Sequence, residues 1–267
     1  MIKLVMAGAS GRMGKIILQL ASQDKAFEIV GGLEQRGHAA LGQDIGPMIG
    51  RDLMGVKVTQ NATAALKSAD VLIDFSHFSA LPENLEAAVE AQTAYVIGTT
   101  GIPAATLQKI KNASRKIPIV QSPNMSVGVN LLFTLAALAG KVLDESYDIE
   151  ITEIHHRMKK DAPSGTAMKL LEILLDARSR DLKKDVVYGR EGETGVREKG
   201  KIGVLALRGG DVVGDHTVSF FGDGERIELV HKASSREAFA RGALLAAKFL
   251  AKKKQGLYHM QHVLGMA

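Results

Sequence analysis

Ile2-Lys3-Leu4-Val5-Met6-Ala7-Gly8-Ala9-Ser10-Gly11-Arg12-Met13-Gly14 is a short apolar run that breaks into three spaced glycines. Behind it Ile16, Ile17, Leu20 and Ala21 recur at helical spacing, so the segment predicts strand, glycine turn and helix in that order. Glycines permit a tight turn and a close backbone approach, and the start of the helix presents N–H groups that attract a pyrophosphate. The spacing is G-x-x-G-x-x-G rather than G-x-G-x-x-G, and a glycine turn alone also fits a plain strand-to-helix connection. Context favours a nucleotide. Phe27-Glu28-Ile29-Val30-Gly31-Gly32-Leu33 reads as the next strand and ends in Glu34, an acid placed to accept hydrogen bonds from an adenosine ribose. Gly8, Ala9, Ser10, Gly11, Arg12, Met13 and Glu34 are therefore candidate nucleotide-binding residues. Arg36, two residues further on, is placed to offset the repulsion that Glu34 exerts on a ribose phosphate.

Outward from this turn, strand and helix patterns alternate up to about Pro123. Apolar runs near 27–34, 71–75, 95–98 and 117–121 and helical spacings near 83–91 and 104–114 predict a Rossmann-like, doubly wound parallel sheet. The glycine-bearing stretch 35–55 reads as loop. After a helix at 127–143 the character changes. Strands near 148–155, 202–207, 212–221 and 226–232 have few helices between them, which predicts a second, α+β domain with a mixed or antiparallel sheet. Residues 183–201 read as a polar excursion, and 236–253 as an alanine-rich helix stopped near Gly256. In an open parallel sheet, ligands sit at the carboxyl ends of strands. That rule singles out Asp74-Phe75-Ser76, Gly98-Thr99-Thr100 and Ser122-Pro123-Asn124-Met125, each of which is equally readable as a structural turn capped by Ser, Thr or Asn.

A second informative stretch is Glu153-Ile-His155-His156-Arg157-Met-Lys159-Lys160-Asp161-Ala-Pro163-Ser164-Gly165-Thr166. The alternating run from Asp148 predicts a strand that delivers His155 and Lys159 to a surface at its end. Ala167, Leu170, Leu171, Leu174 and Leu175 then repeat at helical spacing, so Ser164, Gly165 and Thr166 form a helix start that attracts carboxylates. His156 points to the opposite side from His155 if the strand continues, so the pair is poorly placed to chelate an ion and no metal site is predicted. Taken alone, Arg157, Lys159 and Lys160 also fit a solvated basic face. Glu153 shares the parity of His155 and either orients it or is an exposed strand residue; it is not counted among the site residues. Arg208, His216, His231 and Lys232 either hold the second sheet together or line a cleft.

Composition narrows the function classes. The chain has 267 residues, 46% hydrophobic and 24% charged, enough for one large or two ordinary domains. It has no cysteine, which excludes disulfides, thiolate metal sites and cysteine nucleophiles. No leader pattern precedes the first strand and no apolar run approaches the roughly 20 residues of a membrane span, so a cytoplasmic location and no membrane partner are expected. The net charge of +5 is carried by scattered residues in a chain that is 4% aromatic and lacks Trp, so no nucleic-acid partner is expected.

Taken together the motifs resemble the 4-hydroxy-tetrahydrodipicolinate reductase (dihydrodipicolinate reductase) family of the lysine and diaminopimelate pathway. The resemblance runs nearly end to end. It is carried by Gly8-Ala-Ser-Gly-Arg-Met-Gly14, Ile73-Asp-Phe-Ser76, Val96-Ile-Gly-Thr-Thr-Gly101, Asn124-Met-Ser-Val-Gly-Val-Asn130, Glu153-Ile-His-His-Arg157, Lys159, Asp161-Ala-Pro-Ser-Gly-Thr166, Arg208-Gly-Gly-Asp-Val-Val-Gly-Asp-His216 and His231-Lys-Ala-Ser-Ser-Arg236. The histidine-to-threonine block is specific to that family, whereas many dehydrogenases share the glycine turn.

The resemblance implies a dinucleotide-binding domain of residues 1–126 plus 236–267, and a substrate-binding and oligomerisation domain of residues 127–235. It implies NADH or NADPH as cofactor, a small dicarboxylate as substrate, and a homotetramer. Gly98, Thr99, Thr100, Ser122, Pro123, Asn124 and Met125 would meet the nicotinamide half, and His156, Gly165 and Thr166 the substrate carboxylates. A ring with a conjugated C=N bond accepts hydride more readily when the developing charge is protonated or electrostatically stabilised. The resemblance makes Lys159 the direct proton donor and His155 its acid/base neighbour. Three positions depart from the family pattern: Met125 stands where an aromatic is common, His77 where arginine is frequent, and Gln35 where dual-cofactor members place an arginine. Two other readings share the architecture: a dehydrogenase of another small amino or imino acid, and a nucleotide-sensing module without turnover.

Overall fold

A computed structural model describes residues 1–266. In chain order the elements are β1 Ile2–Ala7, α1 Arg12–Ala21, β2 Phe27–Leu33, α2 Ile45–Met48, β3 Val58–Thr59, α3 Ala62–Leu66, β4 Val71–Asp74, α4 Leu81–Glu90, β5 Ala94–Ile97, α5 Ala104–Ala113 and β6 Pro118–Gln121. They continue with α6 Val127–Val142, β7 Asp148–His155, α7 Gly165–Ala177, β8 Val186–Tyr188, β9 Ile202–Arg208, β10 Gly214–Gly222, β11 Glu225–Ala233, α8 Glu237–Leu250, β12 Gly256–Tyr258 and α9 Met260–Val263. The chain forms two compact units, one of Met1–Val127 with the segment from Arg236 onward, the other of Gly128–Ser235.

The first unit is built on a seven-stranded parallel sheet in the order β12-β6-β5-β4-β1-β2-β3. β4 and β5 are buried along their whole length, which is why they read as continuous apolar runs rather than as alternating ones. Leu4 and Met6 of β1 pack with Ile17, Leu18 and Ala21 of α1 and with Ala243 and Ala247 of α8. Val5 and Ala7 belong to a separate cluster with Leu66, Leu85, Ala88 and Ile110. Both faces are therefore covered, as expected of a doubly wound fold. The strand order reverses between β1 and β4, and in open sheets of this kind ligands sit at such a switch point, at the carboxyl ends of the strands.

Several short elements in this unit differ from the sequence reading. The stretch 35–55 is not simply loop. It contains α2, whose Ile45 is fully buried, and Asp44 caps it by accepting from the Gly46 and Met54 N–H groups. β3, α3, β12 and α9 were also not legible, and β12 extends the sheet by pairing with β6 in the register Gly256↔Pro118.

In the second unit the five-stranded sheet has the order β11-β10-β7-β9-β8 and is mixed. β7, β9 and β8 run parallel, while β10 lies antiparallel to both β7 and β11. β7 alternates strictly, with Ile149, Ile151, Glu153 and His155 buried. Its two buried isoleucines pack with Leu170, Leu171 and Leu174 of α7 and Leu132 and Phe133 of α6. The last two buried positions on this same face are polar, and they lie where the strand meets the start of α7. The 183–201 excursion holds β8 and is pinned back to the sheet. Arg190 pairs with Glu150, and Arg197 with Glu150 and Asp148.

Candidate active site

In the first unit the glycine turn closes on itself. The Gly8 N–H donates to the Leu33 carbonyl and the Gly11 N–H to the Gly8 carbonyl, drawing the end of β1 toward the end of β2. A Cβ at Gly14 would lie 2.0 Å from the Gly8 carbonyl oxygen, so only glycine lets the first turn of α1 pack this tightly under the loop. Gly8 has φ +77°, and a Cβ there would press on the Phe75 carbonyl at 3.0 Å. Gly11 is the N-cap of α1 and provides no side-chain cap, so the helix start keeps N–H groups for a ligand, with Arg12 exposed beside it and Met13 half-buried.

Glu34 reaches this turn. Its Oε1 accepts from the Ser10 N–H at 2.8 Å and from the Ser10 hydroxyl at 2.6 Å. The acid expected to meet a ribose is thus fixed against the loop expected to meet a pyrophosphate, and the set fits an adenosine dinucleotide. Arg36 lies outside this arrangement, exposed in the following turn.

The remaining first-unit candidates follow β5 and β6. Thr99 is 4% exposed and donates its hydroxyl to Asp74 at 2.9 Å, whereas Thr100 is exposed. Gly98 is required by Phe75, whose ring would lie 2.3 Å from an added Cβ. After β6, the buried Ser122 hydroxyl donates to the Asn124 carbonyl, closing the Ser122–Met125 turn, in which Pro123 is exposed. Met125 is buried, and its carbonyl oxygen would lie 1.7 Å from a Cβ at Gly242, so a glycine inside α8 makes room for that turn.

In the second unit the end of β7 and the start of α7 are joined by one carboxylate. Glu153 is 0% exposed. Its Oε2 accepts from Arg208 at 2.8 Å and lies 2.6 Å from His155 Nδ1; its Oε1 accepts from the other Arg208 nitrogen at 2.8 Å and from the Ser164 N–H at 2.9 Å. Burial alone would raise the pKa of Glu153, but Arg208, His155 and the Ser164 N–H outweigh it and hold the group below the ordinary carboxylate range. A carboxylate so held accepts a hydrogen bond from the Nδ1–H of His155, which fixes the ring's tautomer and leaves Nε2 as the acceptor. Burial lowers the pKa of His155, with Lys159 and Arg208 adding to the effect and Glu153 opposing it, so the neutral imidazole is favoured.

Lys159 donates to both oxygens of Asp161 at 2.9 Å, and Arg208 donates to the Asp161 carbonyl at 2.7 Å. One guanidinium thus braces both the strand end and the loop that carries the lysine. Ser164 caps α7, its hydroxyl accepting from the Ala167 N–H at 3.2 Å and lying 3.2 Å from His216 Nε2. His216 is 3% exposed, and burial drives its pKa down to about 3, so it too is neutral. Gly165 is exposed with open space where a side chain would point, and Thr166 follows it in the first turn. His156 lies half-buried just beyond the strand.

The sequence-predicted residues therefore fall into two groups, one in each unit: Gly8 to Met13 with Glu34 at the glycine turn, joined by Gly98 to Thr100 and Ser122 to Met125 after β5 and β6, and His155, His156, Lys159, Gly165 and Thr166 around the start of α7; Arg36 joins neither. Glu153 and Arg208 tie the second group together, and sequence reasoning left both undecided. The parity of Glu153 with His155 was the available signal. Arg208 pairs with His155 across β7 and β9, a register that only the fold reveals.

Comparison with known proteins identifies the family. Residues 2–125 match the family described as "Dihydrodipicolinate reductase, N-terminus", and residues 128–264 match "Dihydrodipicolinate reductase, C-terminus". The chain is 49% identical over 266 residues to the 4-hydroxy-tetrahydrodipicolinate reductase of an Anaeromyxobacter species, covering 100% of this chain and 98% of that one. It is 47% identical over 265 residues to the enzyme of the same name from Nitrosomonas europaea, covering 99% and 98%. Among solved structures, a dipicolinate-bound dihydrodipicolinate reductase from a Paenisporosarcina species superposes with a TM-score of 0.76 at 22% identity, covering 97% of both chains. An amine dehydrogenase from Mycobacterium smegmatis shares the fold at a TM-score of 0.60 and 12% identity, covering 96% of this chain and 94% of that one.

Proposed function

Since the chain belongs to the 4-hydroxy-tetrahydrodipicolinate reductase (dihydrodipicolinate reductase) family, we propose that its two residue groups divide that reaction between them, cofactor binding in the first and proton transfer in the second. The enzyme is an NAD(P)H-dependent oxidoreductase that reduces 4-hydroxy-tetrahydrodipicolinate to tetrahydrodipicolinate in lysine and diaminopimelate biosynthesis. The bound dinucleotide supplies the hydride.

The first unit's residues hold the cofactor. The start of α1 and the backbone of Gly8 to Gly11 take the pyrophosphate, and Glu34, fixed by Ser10, takes the ribose. Gly98 to Thr100 and Ser122 to Met125 lie at the ends of β5 and β6 and serve the nicotinamide half. In the second unit, Gly165, Thr166 and His156 receive the substrate carboxylates, supported by the free approach over Gly165 and the uncrowded helix start.

Lys159 delivers the proton. The observation that carries this assignment is the Glu153–His155 pair: burial favours the neutral imidazole, and its Nδ1 hydrogen is committed to Glu153, so His155 has no ready proton to give and Lys159 is the donor beside it. His155 acts as the neutral acceptor beside it. The test is turnover of Lys159→Ala and His155→Ala, each expected to fall by about 10²–10⁴-fold while NADH affinity is kept. Near-normal turnover in both variants would remove the mechanism.

Assembly as a homotetramer is part of the same reading. It is supported by apolar side chains exposed on the second unit's sheet, among them Leu207, Phe221 and Val230. A fourfold mass by light scattering is expected, and a monomer would refute it. No helix among the described residues is long and apolar enough to cross a membrane, and a cytoplasmic location fits a biosynthetic enzyme of this family.

A further inference from the structure

Asp74 ends β4 and is 0% exposed, yet it lies outside both groups of residues assigned above. It accepts five hydrogen bonds. Oδ1 takes the Ser76 N–H at 2.9 Å, the Ser76 hydroxyl at 2.6 Å and the Thr99 hydroxyl at 2.9 Å. Oδ2 takes the Asn84 amide at 2.9 Å and the Tyr95 hydroxyl at 2.6 Å. A buried carboxylate is costly unless such partners fill its acceptor positions, and an apolar residue would close the end of a strand at less expense.

The donors divide by position. Asn84 in α4 and Tyr95 in β5 lie within the packed body of the unit and hold Oδ2 fixed. Ser76 and Thr99 belong to the two turns at the carboxyl ends of β4 and β5, where ligands of this fold sit. Those turns are interlocked through Phe75, whose carbonyl faces Gly8 and whose ring covers Gly98. Oδ1 thus ties both turns to one point.

We propose that Asp74 is the positioning residue for the nicotinamide half of the cofactor, fixing the 98–100 loop through the Thr99 hydroxyl. The proposal rests on the reading that this loop meets the nicotinamide half. The adenosine half is held separately, by Glu34 and Ser10, so loss of the Asp74–Thr99 bond is felt at one end of the dinucleotide only.

The test is calorimetric titration of the full chain with NADH and with ADP-ribose, which lacks the nicotinamide. Thr99→Val and Asp74→Asn are expected to weaken NADH about tenfold while ADP-ribose stays within about twofold, and Thr99→Ser, which keeps the hydroxyl, is expected to bind both as the unaltered chain does. Should Asp74→Asn fail to fold, the threonine pair carries the test. Unchanged NADH affinity in Thr99→Val, equal losses of both ligands, or no recovery in Thr99→Ser would overturn the proposal. Gly98→Ala separates the two ideas, because its Cβ presses on the Phe75 ring and shifts the loop directly. If Gly98→Ala weakens NADH and Thr99→Val does not, the loop meets the nicotinamide but Asp74 does not position it. If Gly98→Ala leaves NADH binding intact, the underlying reading of the loop fails, and the proposal with it.

Discussion

Glu153 decides what His155 can do. An isolated imidazole on a strand end is free to carry its proton on either nitrogen, but with Nδ1 2.6 Å from a buried carboxylate the proton is held on that side. Glutamine at this position replaces one acceptor oxygen with an amide donor, so the two groups that met that oxygen, an Arg208 N–H together with either His155 or the Ser164 N–H, lose their match. Glu153→Gln is therefore expected to lower kcat by roughly 10–100-fold with NADH affinity unchanged, the loss lying in proton transfer rather than in binding. A kcat within twofold of the unaltered enzyme would show that His155 needs no orientation. Part of this was legible beforehand. The spacing of Glu153 and His155 put both on one face of a strand, and the helical repeat from Ala167 placed a helix start next to them. The partner that makes Glu153 a fixed carboxylate lies 55 residues away, and no local pattern announces it.

At the scale of elements, chemistry concentrates where strands hand over to helices. α7 begins at a capping serine with a bare glycine after it, and α1 begins at a glycine with no side-chain cap. A helix start attracts an anion, and at α1 no side-chain cap competes for it. Thr166→Val removes one hydroxyl from the α7 start. It is expected to raise KM for the dicarboxylate several-fold, on the order of the loss of one hydrogen bond to a charged group, with cofactor affinity unchanged. A fall in NADH affinity instead would move this helix start to the nucleotide site. The long elements were legible because amphipathic or fully apolar periods of six or more residues leave an unambiguous pattern, as in β1, α1, β7 and α7. α2, β3, α3, β8, β12 and α9 have between two and five residues, too few to show a period. β12 exists because β6 offers it an edge, and α2 because Ile45 finds the core.

For the molecule as a whole, the second unit carries its own acid sensitivity. Burial lowers the pKa values of His155, His216 and His231, that of His216 to about 3. Below pH 6.5 the unfolded chain binds protons on these imidazoles while the folded unit does not, so stability is full above that pH and declines as the pH falls toward the folded values. For His216 alone the slope is about 1.4 kcal/mol per pH unit until the pH nears about 3. The lowered carboxyls of Glu153 and Asp161 act in the same sense further down, losing their contribution as they become protonated. Tm is expected to drop between pH 7 and pH 5, and less steeply in His216→Asn; an equal drop in that variant would mean that His216 is not the neutral group described.

The central claim is the reaction itself, and substrate-dependent oxidation of NADH and of NADPH tests it most directly, with 4-hydroxy-tetrahydrodipicolinate generated in the cuvette by its synthase. Glu34 favours NADH, and Arg36 in the adjoining turn is near enough in sequence to temper the repulsion of the NADPH phosphate. Both cofactors are therefore expected to be consumed only when the substrate is present, with kcat/KM favouring NADH by about tenfold or less. Tight binding of either cofactor with no oxidation on adding the substrate would contradict the account.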